Sequence, residues 1–436
     1  MKRKLLRQIS NEWRSNLWLA IELVIVSVAI WYLTSQIMEV RRVIMLPNGY
    51  DTEDVFMLRR LTMPEAALSR ELPKDSAAYV NTLMDANNTL LHTIAGRPSV
   101  EKVGYGSNIG LYNYNFSGAL YGLPWFKDSL EFYANVRYAT PEAAEILRLQ
   151  PLVNSSDSHE LAEHLRRGEV LVSRTAGRYM LTGRDENDYF ADGLEMARLL
   201  VGNTIHPRFQ PELKVGAIIE DMRRGRLEPP YTATVVIPVK DGLESLNCSE
   251  IAVRVKPGEG AAFREDFNSH PEMFRAEPFY VSEVVSYDEV RAGQELKEMI
   301  KIRNKVIVII FLLVSIFLGL LGTFWTRTSN RVSEMAVRRS VGASATDIFR
   351  RLIGEGLAIL TLATPVAGVI DWAIGRYLDT DRWIYLESLF YGGAWGHLLL
   401  CIAITYAVMA VMTIAGILIP ARKAMRLDPA TALRDE

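Results

Sequence analysis

The sequence is 436 residues long and carries 49 Lys and Arg against 51 Asp and Glu, a net charge of −2. This length predicts two or more structural units. The near-zero charge argues against nucleic-acid binding and against a disordered acidic tail. Apolar residues make up 49% of the chain, and their clustering is more informative than the total.

Apolar runs long enough to cross a bilayer as helices occur at four places in the chain. They occupy residues 17–37, 304–326, 353–375 and 398–419. The third run contains Glu355, Pro365 and Asp371, so a buried helix of a soluble protein is its alternative interpretation. The first run follows basic residues from Lys2 to Arg7, as a secretory signal does. Its apolar core is too long for a signal and no small-residue cleavage pattern follows it, so we expect a retained anchor.

The distribution of basic residues predicts the orientation of these runs. Lys and Arg are frequent in segments 1–16, 327–352 and 420–436, whereas the loop at 376–397 is nearly balanced in charge and rich in Trp and Tyr. Basic loops stay in the cytoplasm, and aromatic rings favour the membrane interface. We therefore expect a multi-pass protein of the cytoplasmic (inner) membrane with both termini inside and residues 38–303 outside.

The outer segment alternates between helix-like and strand-like pieces. Asp75 precedes a run to Ala95 with helical spacing, and shorter helical pieces begin at Pro141 and Ser158. Strand-like apolar runs occupy residues 168–174, 213–219, 233–239, 251–255 and 279–285. The fold class predicted is an α-helical membrane protein with four transmembrane helices and a large mixed α/β extracytoplasmic domain between helices 1 and 2.

The end of the outer segment is charged and has helical spacing. The run from Tyr287 to Lys305 contains no stop signal before the second apolar run, so we expect one continuous helix leading into the membrane. Cys248 stands alone in the outer segment, and Cys401 lies in the fourth apolar run, which makes an intrachain disulfide in the outer segment implausible.

Familiar catalytic patterns are missing from the sequence. It has no G-x-x-x-x-G-K-[ST] loop, no G-x-S-x-G turn and no C-x-x-C pair. In HELAEH, the second histidine is His164, five residues after His159, so the H-E-x-x-H zinc spacing is not met. We expect no catalytic, cofactor or metal residues in this chain.

Acidic residues inside the apolar runs are functional candidates, because ionisable groups in a bilayer are costly. Glu22 and Glu355 lie near cytoplasmic ends and Asp371 near an outer end, where they can reach headgroups or an arginine. The alternative is interhelical pairing within a dimer, with Arg14, Arg350 or Arg351 as possible partners. The sequence leaves the role of these carboxylates open.

The basic loop between the second and third runs contains two helix signals. Arg338 and Arg339 suit the last turn of a polar helix, where cations complement the helix dipole. Gly342 can adopt the left-handed stop, and Ser344 and Asp347 have capping-box spacing. This helix–Gly–helix elbow predicts a docking surface that transmits force to the third run. The alternative is a loop whose arginines only set topology.

The same stretch, SEMAVRRSVGASATDIF at Ser333–Phe349, resembles the signature of FtsX/MacB-type ABC permeases. The C-terminal IPARKAMRLDPATALR resembles the ending of that family, and FYANVRYATPEAAEILRLQPL resembles the MacB-type periplasmic core. The resemblance assigns ATPase coupling to Glu334, Arg338, Arg339, Gly342, Ala343, Ser344, Asp347 and Ile348. It assigns the cytoplasmic tail motif to Pro420, Arg422, Asp428, Pro429 and Arg434.

The resemblance implies a permease subunit without catalytic activity of its own. Such permeases form homo- or heterodimers and are driven by an ABC-type ATPase, which binds the ATP and magnesium and is not fused to this chain. MacB-like members move their outer domain and expel substrate through a periplasmic adaptor and an outer-membrane channel. Export or efflux, lipoprotein release and control of a periplasmic hydrolase remain open, as does the substrate.

Other classes of function are a membrane receptor with an outer sensor and a membrane-anchored enzyme. A receptor needs a cytoplasmic output domain, and the basic loop is too short to be one. An enzyme needs convergent polar residues in the outer segment, and no motif there points to them.

Overall fold

The computed structural model describes most of the chain in two compact units. The described residues are 13–69, 71–109, 118–122, 132–153, 157–182, 193–207, 212–223, 225, 233–240, 242–329, 337, 341–378, 386, 389–390 and 392–425. One unit is Val43–Met299. The other combines Met1–Arg42 with Ile300–Glu436. The sequence GRLEPP at 225–230, whose glycine and prolines predict a loop and a subdomain boundary, lies largely outside the described residues.

The described helices and strands follow one another along the whole chain. The helices are α1 (Trp13–Met45), α2 (Ser76–Ala95), α3 (Pro141–Ile146), α4 (Ser158–Arg166), α5 (Arg174–Thr182), α6 (Gly193–Leu200), α7 (Leu243–Asn247), α8 (Gly260–Ser269), α9 (Tyr287–Ser329), α10 (Ala345–Ala373) and α11 (Gly393–Met425). The strands are β1 (Val55–Thr62), β2 (Val100–Ser107), β3 (Gly118–Gly122), β4 (Phe132–Ala139), β5 (Val170–Ser173), β6 (Thr204–Pro207), β7 (Leu213–Ile219), β8 (Thr234–Pro238), β9 (Glu250–Val255), β10 (Arg275–Ala276) and β11 (Phe279–Ser286).

Four segments are long and apolar enough to cross a membrane: they lie in α1, in α9, in α10 with the π-helical turn Ile374–Leu378 that follows it, and in α11. These segments are Leu17–Met45, Met299–Thr323, Thr346–Leu378 and Gly393–Leu418. Each includes most or all of an apolar run identified in the sequence. The predicted continuous helix is confirmed, because α9 runs unbroken from Tyr287 to Ser329.

Three of these helices share an apolar core. Its fully buried residues are Leu19, Leu23 and Ile30 of α1, Ile359, Leu360 and Ala363 of α10, and Met409, Met412 and Ile417 of α11. Helix α9 contributes only partly buried side chains to this core. In the most apolar stretch of α9, 6% of the residues are buried, against 28% to 33% in the corresponding stretches of the other three helices. Much of the apolar surface of α9 therefore remains available to lipid or to another chain.

The unit Val43–Met299 is built on a sheet of eleven strands in the order β10-β11-β1-β9-β2-β4-β3-β6-β7-β5-β8. Strand β8 also pairs in parallel with β4, so β4, β3, β6, β7, β5 and β8 close into a ring. The remaining strands extend from this ring as an open, antiparallel sheet. The predicted mixed α/β class is confirmed for this unit.

Separate apolar cores involve the ring and the open sheet. In the ring, Val170 and Val172 of β5 and Val215 of β7 pack with α5 and α6. On the open sheet, α2 packs through Leu83, Leu90 and Ile94, whose spacing gives one helix face. The Asp75 carboxylate accepts a bond from the Ala78 N–H, which confirms the predicted start of α2.

Candidate functional site

The elbow between α9 and α10 turns at Gly342. The φ of Gly342 is +93°, in the left-handed region that favours glycine. Among the described residues other than its two chain neighbours, no atom lies within 4 Å of a Cβ built there, so the backbone conformation and not crowding favours glycine. The Val341 N–H, just before this glycine, donates to the Val337 carbonyl at 3.3 Å.

A side-chain cap begins the second half of the elbow. The Ser344 Oγ accepts a hydrogen bond from the Asp347 N–H at 3.1 Å and donates to Asp347 Oδ2 at 2.6 Å. The predicted S-x-x-D cap is therefore present at the start of α10. Ile348 is buried and Phe349 packs against the core of the helical unit, so the cap is joined to a fixed helix.

The described part of the elbow exposes apolar side chains. Val341 is 84% exposed and Val337 is 50% exposed, four residues apart. Ala343 is half-buried beside them. Glu334, Arg338 and Arg339 lie outside the described residues. The described part of the elbow thus exposes two valines next to a basic sequence.

The tail motif is described only in part. Pro420 and Arg422 lie in the last turns of α11, and Arg422 is exposed. Asp428, Pro429 and Arg434 lie outside the described residues. The structure therefore does not bring the tail motif and the elbow into one described site.

The sequence suggests that the acidic residues of the apolar runs reach headgroups or an arginine. In the structure they bond to another helix or are buried in the helical unit. Glu22 of α1 accepts a hydrogen bond from the Thr323 hydroxyl of α9 at 3.1 Å, and this interhelical partner is not an arginine. Glu355 and Asp371 of α10 are buried within the unit. The Asp371 Oδ1 atom has no hydrogen-bond partner among the described residues.

The two histidines of HELAEH contact carboxylates on α3 and near β5. The Nδ1 atom of His159 lies 2.9 Å from Glu145, and that of His164 lies 2.7 Å from Glu169. Hydrogen bonding to His164 and Lys214 lowers the pKa of Glu169. No group of three or more potential metal ligands occurs within the described ranges.

One partly buried carboxylate in the unit Val43–Met299 has an unusual pKa. Asp221 accepts hydrogen bonds from the Thr175 N–H at 2.8 Å and from the Thr175 hydroxyl at 2.7 Å, at the start of α5. Burial raises the pKa of Asp221 to about 6, although these bonds favour the ionised form. Asp221 therefore titrates close to neutral pH.

Buried arginines in the unit Val43–Met299 were not singled out by the sequence patterns. The side chains of Arg60, Arg137, Arg223 and Arg254 are all almost completely enclosed. Each donates to a backbone carbonyl far away in the chain. For Arg254 the visible sign in the sequence is a charge inside an apolar run, IAVRV, whereas Arg223 lies in the polar sequence EDMRRGR and has no such sign.

Residues 306–429 match the family model described as FtsX-like permease C-terminal. The match includes the elbow, helices α10 and α11 and most of the apolar part of α9. It supports the FtsX-like permease family. This FtsX-like region indicates the permease component of an ABC-type system, which generally lacks catalytic activity and works with an ATPase partner.

The other comparisons are less informative. No curated protein matches the chain. Among solved structures, the chain is similar to a crystallised domain from Porphyromonas gingivalis described as part of a permease protein, with 15% sequence identity. The aligned region covers 53% of this chain and 90% of that domain with a TM-score of 0.27, a value too low to support an argument.

Proposed function

We propose that this chain is the permease subunit of an ABC transporter in the inner membrane. A separate ABC-type ATPase binds ATP and magnesium, docks on the elbow and moves it. The single observation that carries the proposal is the FtsX-like match over residues 306–429, because it includes both the elbow and the helices attached to it. The exposed Val337 and Val341 offer apolar area for the ATPase, and the neighbouring arginines offer charge.

The proposal extends to a dimer whose outer units move when ATP is hydrolysed. The sparse burial of α9 leaves an apolar face that a second permease protomer can cover. Movement of the outer unit serves export or efflux of a substrate on the outer side, with a periplasmic adaptor and an outer-membrane channel as further partners. The proposed orientation places both termini in the cytoplasm and residues 38–303 outside.

The test is purification of the tagged full-length chain from its native membrane in mild detergent, with mass spectrometry of the proteins that accompany it. We expect an ABC-type ATPase at about one copy per permease. Arg338→Glu with Arg339→Glu should remove the ATPase while the chain stays in the membrane, because charge reversal repels the partner. Arg338→Lys with Arg339→Lys keeps the charge and serves as the matched control.

A second variant tests the described surface of the elbow. Val341→Asp should also reduce ATPase association, because it places a charge where an apolar contact forms, whereas Val341→Leu should retain it. Normal ATPase association in both the charge-reversal and the Val341→Asp variants would contradict docking on the elbow. A wild-type chain that purifies without any ATPase would favour the receptor class.

A further inference from the structure

The chain enters the outer unit through residues 46–54, which form neither helix nor strand. This segment is nevertheless fixed by backbone hydrogen bonds to distant parts of the unit. The Gly49 carbonyl accepts from the Gln150 N–H at 3.0 Å, and the Asp51 N–H donates to the Leu147 carbonyl at 2.8 Å. The entrance is thus held against the residues that follow α3.

Arg223 forms hydrogen bonds with the first half of this segment, residues 46–50. Its side chain is 1% exposed, and Nη1 donates to the Leu46 carbonyl, one residue beyond α1, at 3.0 Å. The Arg223 carbonyl accepts a bond of 2.6 Å from the Tyr50 hydroxyl, and its N–H donates to Asn48. Arg223 therefore contacts the entrance through both its side chain and its backbone.

Arg254 of β9 fastens the second half. Its Nη1 donates to the Glu53 carbonyl at 2.8 Å and its Nη2 to the Asp51 carbonyl at 3.2 Å. Nε and Nη2 both donate to the Ile146 carbonyl in the last turn of α3. A planar guanidinium with several donors can join three segments in this way, which an ammonium group cannot reproduce.

The exit from the unit lies beside the entrance. Phe56 of β1 pairs with Ser286, the last residue of β11 before α9 begins. Ser286 and Glu289 cap α9 reciprocally, at 3.1 and 3.2 Å. The buried Tyr287 hydroxyl donates to the Ile109 carbonyl at 3.1 Å. Entrance and exit are therefore attached to the same end of the β1–β11 pair.

We propose that Arg223 and Arg254 are positioning residues that turn this entrance into a rigid joint. Movement at the end of α1 is then passed to α3 and β9, and is not absorbed by residues 46–54. Without the two guanidinium groups, the carbonyls they bind lose these partners, and the segment is held only by its remaining backbone hydrogen bonds and by Tyr50, so it samples a wider range of conformations. The inference rests on the proposed function only for what drives the movement.

The experiment measures the rigidity of the joint by pulsed EPR on the full-length chain in lipid nanodiscs. Spin labels replace Met45, at the end of α1, and Glu160, on α4, both of which are exposed. The native cysteines, Cys248 and Cys401, are buried and are retained. We expect a narrow distance distribution in the wild type and a broad one in Arg223→Met and Arg254→Met. Tyr50→Phe, which removes one hydrogen bond, should broaden it slightly.

The matched control is Arg60→Met. Arg60 and Arg254 are equally buried, at 4% exposure, but Arg60 bonds to Leu246 and Asn87 away from the entrance. Arg60→Met should lower the melting temperature without broadening the distribution. Equal broadening of the distance distribution in Arg60→Met would show that the broadening in the other variants comes from general destabilisation, and would contradict the rigid joint. A folded Arg254→Met chain and a folded Tyr50→Phe chain that both keep the wild-type width would overturn the rigid joint.

A second readout uses the complex with the co-purified ATPase. In Arg254→Met we expect wild-type ATP hydrolysis and a loss of the nucleotide-dependent distance change between Glu160 labels of two protomers. A retained distance change would overturn the transmission of movement through the joint. If no ATPase accompanies the wild type, the proposed function fails, whereas the width of the Met45–Glu160 distribution still tests the joint.

Discussion

At the scale of single residues, carboxylates in the unit Val43–Met299 differ in the direction in which the fold shifts their pKa. Burial raises the pKa of Asp221 to about 6, whereas a hydrogen bond from the Arg97 guanidinium lowers the pKa of Asp266. The Arg97 Nε atom lies 2.6 Å from Asp266. The two residues should therefore affect stability with opposite dependence on pH.

Asp221→Asn is expected to flatten the pH dependence of stability between about pH 4 and pH 6. Because the folded pKa is raised, the stability contributed by protonated Asp221 is full below the unfolded pKa and is lost as pH rises through about 6. The loss at pH 8 is at most about 3 kcal/mol, for a shift of roughly two units. Thermal unfolding of the full-length chain at a series of pH values measures it.

Asp266→Asn is the control variant, because the pKa of Asp266 is shifted in the opposite direction to that of Asp221. Its lowered pKa contributes stability above the unfolded pKa, which is lost as pH falls through the folded value. The variant should lose about 1 kcal/mol at neutral pH, because a partly exposed ion pair contributes little more. The same slope in Asp221→Asn and the wild type between pH 4 and 6 would show that the Asp221 carboxyl is solvated like an exposed one.

At the scale of elements, the elbow depends on a local cap that a single substitution removes. Ser344→Ala leaves the Asp347 N–H without its side-chain acceptor, which costs the start of α10 about 1 kcal/mol. Ser344→Asp keeps an acceptor at the cap. We expect Ser344→Ala to weaken ATPase association and Ser344→Asp to preserve it, measured by co-purification. Equal ATPase association in both variants would show that ATPase binding does not depend on the Ser344 cap.

Elements whose structure depends on neighbouring residues, as this cap does, are the ones that can be predicted from the sequence. The elbow is specified by neighbouring residues, so Gly342 and the Ser344 cap are found where the sequence predicts them. Strands β5, β7, β8, β9 and β11 are predicted because their apolar runs are continuous. Strand β2 is missed because Gly104 and Gly106 interrupt its pattern.

Glycine is needed at these two positions because other parts of the backbone approach them closely, which only the folded structure shows. A Cβ at Gly104 would lie 2.5 Å from the Ala143 N atom, and one at Gly106 would lie 2.1 Å from the Tyr138 carbonyl oxygen. The entrance held by Arg254 is equally invisible in the sequence, because its hydrogen bonds join segments more than a hundred residues apart. Close approach and long-range bonding leave no local pattern to read.

At the scale of the whole molecule, the basic loops predict which parts face the cytoplasm. Val341→Cys and Glu160→Cys place a thiol on an exposed position in each unit. In intact spheroplasts, an impermeant maleimide should label Glu160→Cys and leave Val341→Cys unlabelled until the membrane is opened. The reverse labelling order would contradict the proposed orientation, and labelling of both in intact cells would indicate leaky membranes, which a cytoplasmic marker protein controls for.

The closed ring of strands determines where a foreign strand could join the two ends of the sheet in the unit Val43–Met299. Because β8 bonds to both β5 and β4, the end of the strand order at β8 is not an open edge. The other end of the strand order is β10, which is only Arg275 and Ala276 long and pairs with β11. Short edges carrying an exposed arginine resist edge-to-edge aggregation. Fibril-like association through the β10 end of the sheet would have to start at these two residues or at the neighbouring part of β11.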